Sequence, residues 1–551
     1  MIYLVDLTPQ ERALLFPKLG EPHLALLEPL SSRRRSQTGE VLFGPETPLP
    51  KLYVVLSGSI ELTGVSNGSE ASLGILEAGQ FTGELNQLSG RRSLVFCRTI
   101  VSGELLELSR DSLRKAMQSD AALGNILLSS FVLRRTFLIA NSVGDAVLIG
   151  SKYSGDTLRL RSFLARNGHP YTYLDLDSDE NVQTALDQFS LLPGDIPVLI
   201  CRGQLVLRNP SNVEAASCFD LNAGIDQTDT YDLVVVGAGP AGLGAAVYGA
   251  SEGLKILAVE GNAPGGQAGS SSRIENYLGF PLGISGQELA DRAFVQAEKF
   301  GAKISVARQA TGLICTRSPY VVQLDQGEAI MTQTVIVATG SRYRKLNVPN
   351  AARFEDTGIF YGATFVEAPL CQGDDVVVVG GGNSAGQAAV FLAGFARHVY
   401  LLIRGPGLQN TMSRYLIARI EASPQITLNV GTTVQALEGD SHLEQISWRE
   451  DATGIISTHR IQHIFIMTGA DPNTDWLSDC LATDEKHFIK TGAEVTDVWP
   501  LKRSPFPLET SVPGIFAVGD VRAGSIKRVA SAVGEGSMAV QFVHQVLDAQ
   551  W

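Results

Sequence analysis

Residues 231–260 read YDLVVVGAGPAGLGAAVYGASEGLKILAVE, and this stretch decides the fold. A β-branched run, Val234-Val235-Val236, leads into Gly237-Ala-Gly-Pro-Ala-Gly242, and a small-residue helix opens directly after it. That strand–loop–helix context separates a dinucleotide fingerprint from a chance GxGxxG. Gly237 makes the tight turn, Gly239 lets the backbone approach a pyrophosphate, and Gly242 lets helix pack on strand. Pro240 and Ala241 stand where the helix begins, and unpaired amides and the helix dipole there favour negative charge. A second strand over 255–259 ends at Glu260, 23 residues past Gly237. This is close to the spacing at which an acid binds an adenosine ribose. The bland alternative is a solvated charge at a strand end.

A second loop, Gly380-Gly-Gly-Asn-Ser-Ala385, follows Val376-Val377-Val378-Val379 and lies 143 residues beyond the first. Gly380, Gly382, Asn383, Ser384 and Ala385 are its candidate contacts. One such loop implies a nucleotide site. Two imply two nucleotides face to face.

The chain has 551 residues, too many for one core, which implies about three or four domains. Charged residues at 18% and hydrophobic residues at 44% describe ordered globular protein. A net charge of −13 argues against a nucleic-acid partner, which needs a basic stripe, and against an anionic membrane surface. The N-terminus lacks a basic segment followed by a long apolar run, so no signal peptide is expected. No apolar stretch is expected to reach spanning length. Six cysteines (97, 201, 218, 315, 371, 480) are widely spread and form no CxxC. Reduced thiols, and hence a cytoplasmic protein, are the expectation. No metal site is expected: His459 and His463 are four apart, but 464–467 reads as a strand, where that spacing does not converge ligands.

Residues 1–143 read as a β-roll with flanking helices, the first helical stretch running over 8–27. Short apolar runs punctuated by Gly58, Gly64, Gly74, Gly79 and Gly83 carry this reading. The segments LYVVLSGSIELTG and LEAGQFTGELNQLSGRRSLV resemble a cyclic nucleotide-binding domain and its phosphate cassette. The resemblance implies that Glu84, after Gly83, holds a ribose hydroxyl. It also implies that an arginine holds the cyclic phosphate of cAMP or cGMP. Arg92 is the first candidate and Arg91 the second, in a loop that looks shortened. The alternative is a roll that keeps the fold without binding nucleotide.

Residues 145–222 read β–α–β–α–β, with strands over 146–150, 171–176 and 196–201 and helices over 157–167 and 182–189. This resembles a thioredoxin or glutaredoxin fold, with Pro197 where that family keeps a cis-proline. Where the family places CxxC, this chain has Ser151-Lys-Tyr-Ser-Gly-Asp-Thr157. With no low-pKa thiol at that helix start, a docking or spacer role is expected rather than dithiol exchange.

Residues 229–551 resemble the low-molecular-weight thioredoxin reductases over nearly their whole length. The matching segments include PGGQAGSSSRIENYLGFP, VIVATGS, VVVVGGGNSAGQAA and TSVPGIFAVGDVRAGSIKRVASAVGEGS. The resemblance implies two Rossmann-like three-layer α/β domains: an FAD domain split between 229–345 and 475–551, and an NAD(P)H domain over 346–474. It implies flavin contacts at Gly266, Gln267 and Asn276, a connector at Ala338-Thr339-Gly340, and a ribitol contact at Asp520 after Gly519. Arg528, Val529 and Ala530 would border the isoalloxazine ring. The family grips the NADPH 2′-phosphate with a His-Arg-Arg pattern and a further arginine. Here only Arg404 remains, with Gln409 downstream and Arg414 as a substitute or merely a surface arginine. No acid stands there to repel the phosphate, so NADPH is expected over NADH.

The largest departure is catalytic. The family carries Cys-x-x-Cys fourteen to seventeen residues before the second loop, and counting back from Gly380 lands on Ala363 and Val366. Cys371 lies nearby, as an inert cysteine or at most a partner in a mixed disulfide.

The resemblance as a whole implies an FAD- and NAD(P)H-dependent oxidoreductase whose electrons leave to an external acceptor. A ferredoxin- or flavodoxin-like protein, a quinone, an external disulfide and oxygen stay open. Thioredoxin-reductase-like ferredoxin–NADP reductases also lack the cysteine pair and place an aromatic over the flavin, a place Trp551 would take unless it frays. The family is usually dimeric, so a homodimer is expected. The alternatives are a cyclic-nucleotide-linked flavin sensor and a disulfide reductase working without an internal pair.

Overall fold

The computed structural model describes residues 8–549 apart from 46, 48–49, 67–68, 90, 142, 145, 178–194, 202–204, 223–224, 356, 365, 441 and 478–479. Trp551 and the helix expected over 182–189 therefore lie outside the described residues. The chain divides into two compact units. One comprises Met1–Ser151 with Asn167–Gly224, the other Lys152–Arg166 with Ile225–Trp551.

In the first unit two antiparallel sheets form the roll. One orders Ser32–Ser36, Gly103–Leu108 and Leu52–Val55; the other orders Val41–Phe43, Phe96–Val101, Ser59–Ser66 and Ser69–Leu76. Gly58 falls between strands Leu52–Val55 and Ser59–Ser66. The expected single opening helix is two, Pro9–Leu15 and Glu21–Leu27, because Pro17 and Gly20 interrupt it and Gly20 caps the second. Phe43, Tyr53, Val55, Ile60 and Leu76 share one buried cluster.

The expectation that no apolar stretch reaches spanning length is corrected by helix Ala121–Ala140. Its 20 residues and mean hydropathy of 1.4 are enough to cross a membrane by length and composition alone. Its apolar side is instead part of the roll: Leu123, Leu127, Phe131 and Leu138 are buried, and so is Arg134.

Also in this unit, a four-stranded sheet orders Leu205–Arg208, Val198–Cys201, Ala146–Gly150 and Thr172–Asp175. Val198–Cys201 runs antiparallel to Ala146–Gly150, which runs parallel to Thr172–Asp175. The Ile196–Pro197 peptide is cis. Helix Asn212–Cys218 starts on a Ser211–Glu214 capping box. The helix expected over 157–167 is Gly155–Arg166 and groups with the second unit. The reason is packing, since Leu158 joins the buried cluster of Phe360, Ala363 and Cys371.

The second unit holds two doubly wound sheets. In the first, strands Lys303–Val306, Ile256–Glu260, Tyr231–Val236 and Ala329–Val337 run parallel, and Ile515–Ala517 returns from far along the chain to pair with Ala329–Val337. Tyr320–Leu324 and Ala310–Ile314 extend that sheet antiparallel. Leu233, Val234 and Val235 are fully buried, as expected for a parallel strand covered on both faces. The second sheet orders Ile359–Phe360, His463–Ile466, Asp375–Val379, His398–Leu402 and Ile426–Asn429, all parallel. Ser341–Tyr343 pairs antiparallel with Ala470–Pro472 where the chain passes between the two sheets.

The expectation of six reduced thiols is corrected. Cys201 pairs with Cys218 and Cys315 with Cys480, at Cα separations of 6.5 and 6.3 Å. A strand end meets a helix end in the first pair, and residues 165 apart in sequence meet in the second, neither of which spacing reveals. Cysteine usage thus no longer argues for a compartment. Cys97 and Cys371 are free and buried.

Candidate functional site

Both glycine loops of the second unit open onto one cleft of about 1130 Å³. Gly237 has φ of +103°, and a Cβ there would stand 2.4 Å from the Ala338 carbonyl oxygen. A Cβ on Gly242 would stand 1.9 Å from the Gly237 carbonyl oxygen. Only glycine permits this crossing of loop, helix and neighbouring strand. Gly239 caps helix Pro240–Ser251, whose first turn carries no acidic residue. Gly237, Gly239, Pro240 and Ala241 line the cleft, whereas Gly242 is buried beneath it.

Glu260 also lines the cleft, and its carboxylate accepts the backbone N–H of Ala238 at 2.8 Å and of Asn262 at 3.0 Å. Gly266, Gln267 and Asn276 form another part of the wall, and the Gln267 side-chain amide donates to the Ser341 carbonyl. Ala338, Thr339 and Gly340 continue it; Thr339 and Asn473 exchange side chain-to-carbonyl hydrogen bonds at 2.8 and 2.9 Å.

Gly519, Asp520, Arg528 and Val529 also line the cleft, and a Cβ on Gly519 would stand 3.0 Å from Ala241 Cβ. Burial pushes the Asp520 carboxyl up, while Lys527 and the Ser341 hydroxyl oppose the shift. Lys527 donates to the Asp520 carbonyl at 2.8 Å, and burial pushes its ammonium down. Ala530 sits on the first turn of helix Val529–Asp548 and is exposed, outside the lining.

From the second loop, Gly382, Asn383 and Ser384 reach the same cleft; Gly380 and Ala385 are buried behind them. Gly382 caps helix Asn383–Leu392. The Asn383 side chain accepts the Ser413 N–H at 2.8 Å, and Thr411 donates to the Gly381 carbonyl at 2.6 Å. Arg404 and Arg414 are exposed and do not line the cleft, and Gln409 is exposed too.

The segment where the resemblance places a dithiol has a different architecture. Ala363 is 6% exposed within an apolar cluster. The Glu367 carboxylate accepts the Thr364 N–H at 2.9 Å and its hydroxyl, while Thr364 in turn accepts the Val366 N–H at 3.0 Å. This turn holds a carboxylate, not sulfur, on the cleft. Burial pushes Glu367 up, with the Thr364 hydrogen bonds and Arg166 opposing. Cys371 is buried, its thiol pushed up by burial and donating to the Glu367 carbonyl at 3.6 Å. A thiol so placed is a poor nucleophile.

Sequence reasoning missed Arg166, Tyr343, Glu367 and Lys527 in the lining. None sits in a glycine motif, and only folding brings them to the loops.

In the first unit a cavity of about 40 Å³ is lined by Gly83, Glu84, Ser93 and Arg134. Neither Arg91 nor Arg92 is in that lining. Arg92 pairs with Asp220 at 2.5 Å, and Arg91 donates to the Leu221 carbonyl at 3.0 Å. Arg134 takes the interior place instead: it donates to the carbonyls of Leu15 and Gly83 and stands 4.7 Å from the rings of Phe16 and Phe81. Burial pushes it down to about 9, with Glu84 opposing. Glu84 meets Arg135 at 2.7 Å.

Comparison with known proteins agrees with this architecture. Residues 231–536 match the family profile described as pyridine nucleotide-disulphide oxidoreductase, and residues 33–120 match the cyclic nucleotide-binding domain. The chain is 32% identical over 322 residues to a thioredoxin reductase of Ureaplasma parvum serovar 3, covering 58% of this chain and 97% of that protein. It is 33% identical over 323 residues to a thioredoxin reductase of Treponema pallidum, covering 58% and 98%. Among solved structures, Lactococcus lactis thioredoxin reductase superposes with a TM-score of 0.53 at 29% identity, covering 58% of this chain and all of that one.

Proposed function

The chain belongs to the pyridine nucleotide-disulphide oxidoreductase family, and from that premise we propose an FAD- and NAD(P)H-dependent oxidoreductase whose electrons leave to an acceptor outside the chain. The observation that carries this reading is the shared cleft. Gly239 at one helix cap and Gly382 at another face the same space, with Glu367 rather than a dithiol on its wall. The residues fit a flavin nucleotide: a glycine cradle that a Cβ would fill, an acid at the second strand end, and Asp520 on the same lining.

Bound FAD supplies hydride acceptance and stepwise electron release. The chain's part is placement. The caps at Gly239 and Gly382 present amides to phosphate groups. Glu260 and Asp520 offer acceptors to sugar hydroxyls. Lys527, beside Asp520, puts positive charge at the end where the resemblance sets the ring. The second nucleotide is read as NADPH, with Arg404 exposed past strand His398–Leu402 to meet a 2′-phosphate and no acid nearby in sequence.

Anaerobic stopped-flow mixing with NADPH and NADH, followed by candidate acceptors, tests this. NADPH should bleach the flavin band faster, and a low-potential carrier, quinone, external disulfide or oxygen should restore it. Protein that stays colourless after addition of FAD defeats the reading.

A second reading, a flavin sensor gated by cyclic nucleotide, is favoured by the match over 33–120. Calorimetry with cAMP and cGMP decides it. Without heat from either, the roll is structural, and the segment around Ala146–Gly150 stays a thioredoxin-like spacer.

A further inference from the structure

Helix Gly155–Arg166 lies outside both family matches yet belongs to the second unit. Leu158 anchors it in the cluster containing Phe360, Ala363 and Cys371. Its last residue is gripped at both ends. The Gln287 side-chain amide donates to the Arg166 carbonyl at 2.9 Å, and Arg166 Nη2 donates to the Gly266 carbonyl at 2.8 Å. Arg166 lines the cleft beside Gly239, Glu260 and Gly266. Gly266 abuts the cap of the first nucleotide helix, since a Cβ on it would stand 3.1 Å from Gly239 Cα.

Two observations point from this guanidinium to a ligand. First, among the described residues the Arg166 guanidinium makes one side-chain hydrogen bond, from Nη2 to the Gly266 carbonyl, and no ion pair, so Nη1 is left without a protein acceptor. A guanidinium on a cleft wall with donors to spare suits an anionic acceptor. Secondly, the first loop brings no cation of its own, because no Lys or Arg occurs between Tyr231 and Leu254. A helix N-terminus contributes only about half a positive charge, so a pyrophosphate there is held more tightly with a cation beside it. Of the other basic residues lining the cleft, Arg342 is engaged with Asp475 at 2.7 Å, Lys527 with the Asp520 carbonyl, and Arg528 is exposed at the cap of helix Val529–Asp548.

We propose that Arg166 is a flavin-nucleotide-binding residue, reaching in from outside the family-matched domain to neutralise the FAD pyrophosphate held at Gly239. Burial works against its charge, and the carboxylates of Glu260 and Glu367 work for it. Its planar fork suits two phosphate oxygens at once. The helix that carries it thereby becomes part of the cofactor site, and docking of residues 152–166 and retention of FAD reinforce each other. The proposal rests on the FAD reading above.

The test is FAD titration of deflavinated full-length protein, followed by flavin fluorescence, for wild type, R166Q and R166K. R166Q should bind FAD about ten- to a hundred-fold more weakly, the loss of a charge-assisted contact. R166K, which keeps the charge but not the fork, should fall between, and it keeps the test open if R166Q does not fold. Affinity for riboflavin, which has no phosphate, should be the same in all three. Equal FAD affinity in wild type and variants overturns the proposal, and so does an equal loss for riboflavin. Wild type that takes up no FAD defeats the flavin reading itself, a separate result.

Discussion

The Glu260 carboxylate accepts the Ala238 backbone N–H at 2.8 Å, tying the end of the second Rossmann strand to the middle of the first glycine loop. A second bond, from the Asn262 N–H at 3.0 Å, fixes the other oxygen. The acid therefore shapes the loop as well as facing the cleft. Glu260→Ala removes both acceptors. It should cost about 1.5–3 kcal/mol, the range for hydrogen bonds to a charged group. Thermal melting with and without FAD checks this, and an unchanged melting temperature in both states would separate Glu260 from the loop.

Gly237→Ala should empty the cleft of flavin. Its Cβ would stand 2.4 Å from the Ala338 carbonyl, at a φ of +103°. A left-handed non-glycine residue costs about 1–3 kcal/mol before any clash is counted. The expected outcome is protein purified without yellow colour, read as the flavin-to-protein absorbance ratio. A fully yellow variant would mean that the strand spacing relaxes freely.

Glu367 gives a pH dependence. Burial holds its folded pKa above the ordinary 4.5, so folding favours the protonated carboxyl. The stabilisation is complete below the unfolded value and is lost as pH rises through the folded one. E367Q, which cannot ionise, should therefore gain melting temperature on wild type progressively from about pH 4 upward. The reverse trend would show that Thr364 and Arg166 hold the carboxylate ionised.

In the roll, Glu84 and Arg135 meet at 2.7 Å with side chains 7% and 12% exposed, although the contact lacks good hydrogen-bond alignment. Arg135→Ala leaves a buried carboxylate without its cation, which should cost about 3–5 kcal/mol. Differential scanning calorimetry of the full chain reads this as a shift of the roll's transition. Replacing both residues by apolar ones should restore much of it.

Thiol titration checks the cysteine pairs. Denatured, unreduced protein should present two reactive thiols, Cys97 and Cys371, and six after reduction. Six thiols before reduction would rule out both disulfides.

The Rossmann halves were legible because their signals are local. Val234 to Gly242 spells strand, turn and helix within nine residues, and Val376 to Ala385 repeats it. Local sterics and hydrogen bonding enforce such motifs wherever they occur. The roll was legible from its glycine punctuation, but which arginine shares the Glu84 cavity was not. Arg91 and Arg92 stand close to Glu84 in sequence and turn to Leu221 and Asp220, whereas Arg134, fifty residues on, shares its cavity.

By itself the sequence determined that two nucleotide loops exist, that an acid ends the second strand, and that no CxxC is present. Each is a property of neighbouring residues and needs no partner from elsewhere. Tertiary structure alone decided that both loops open onto one cleft, that Glu367 stands on its wall, that Cys315 meets Cys480, and that Arg166 reaches Gly266. These join residues roughly a hundred or more positions apart. Burial of apolar surface draws such segments together, and that force is non-directional, so the pattern marks which face is buried but not which distant segment it meets.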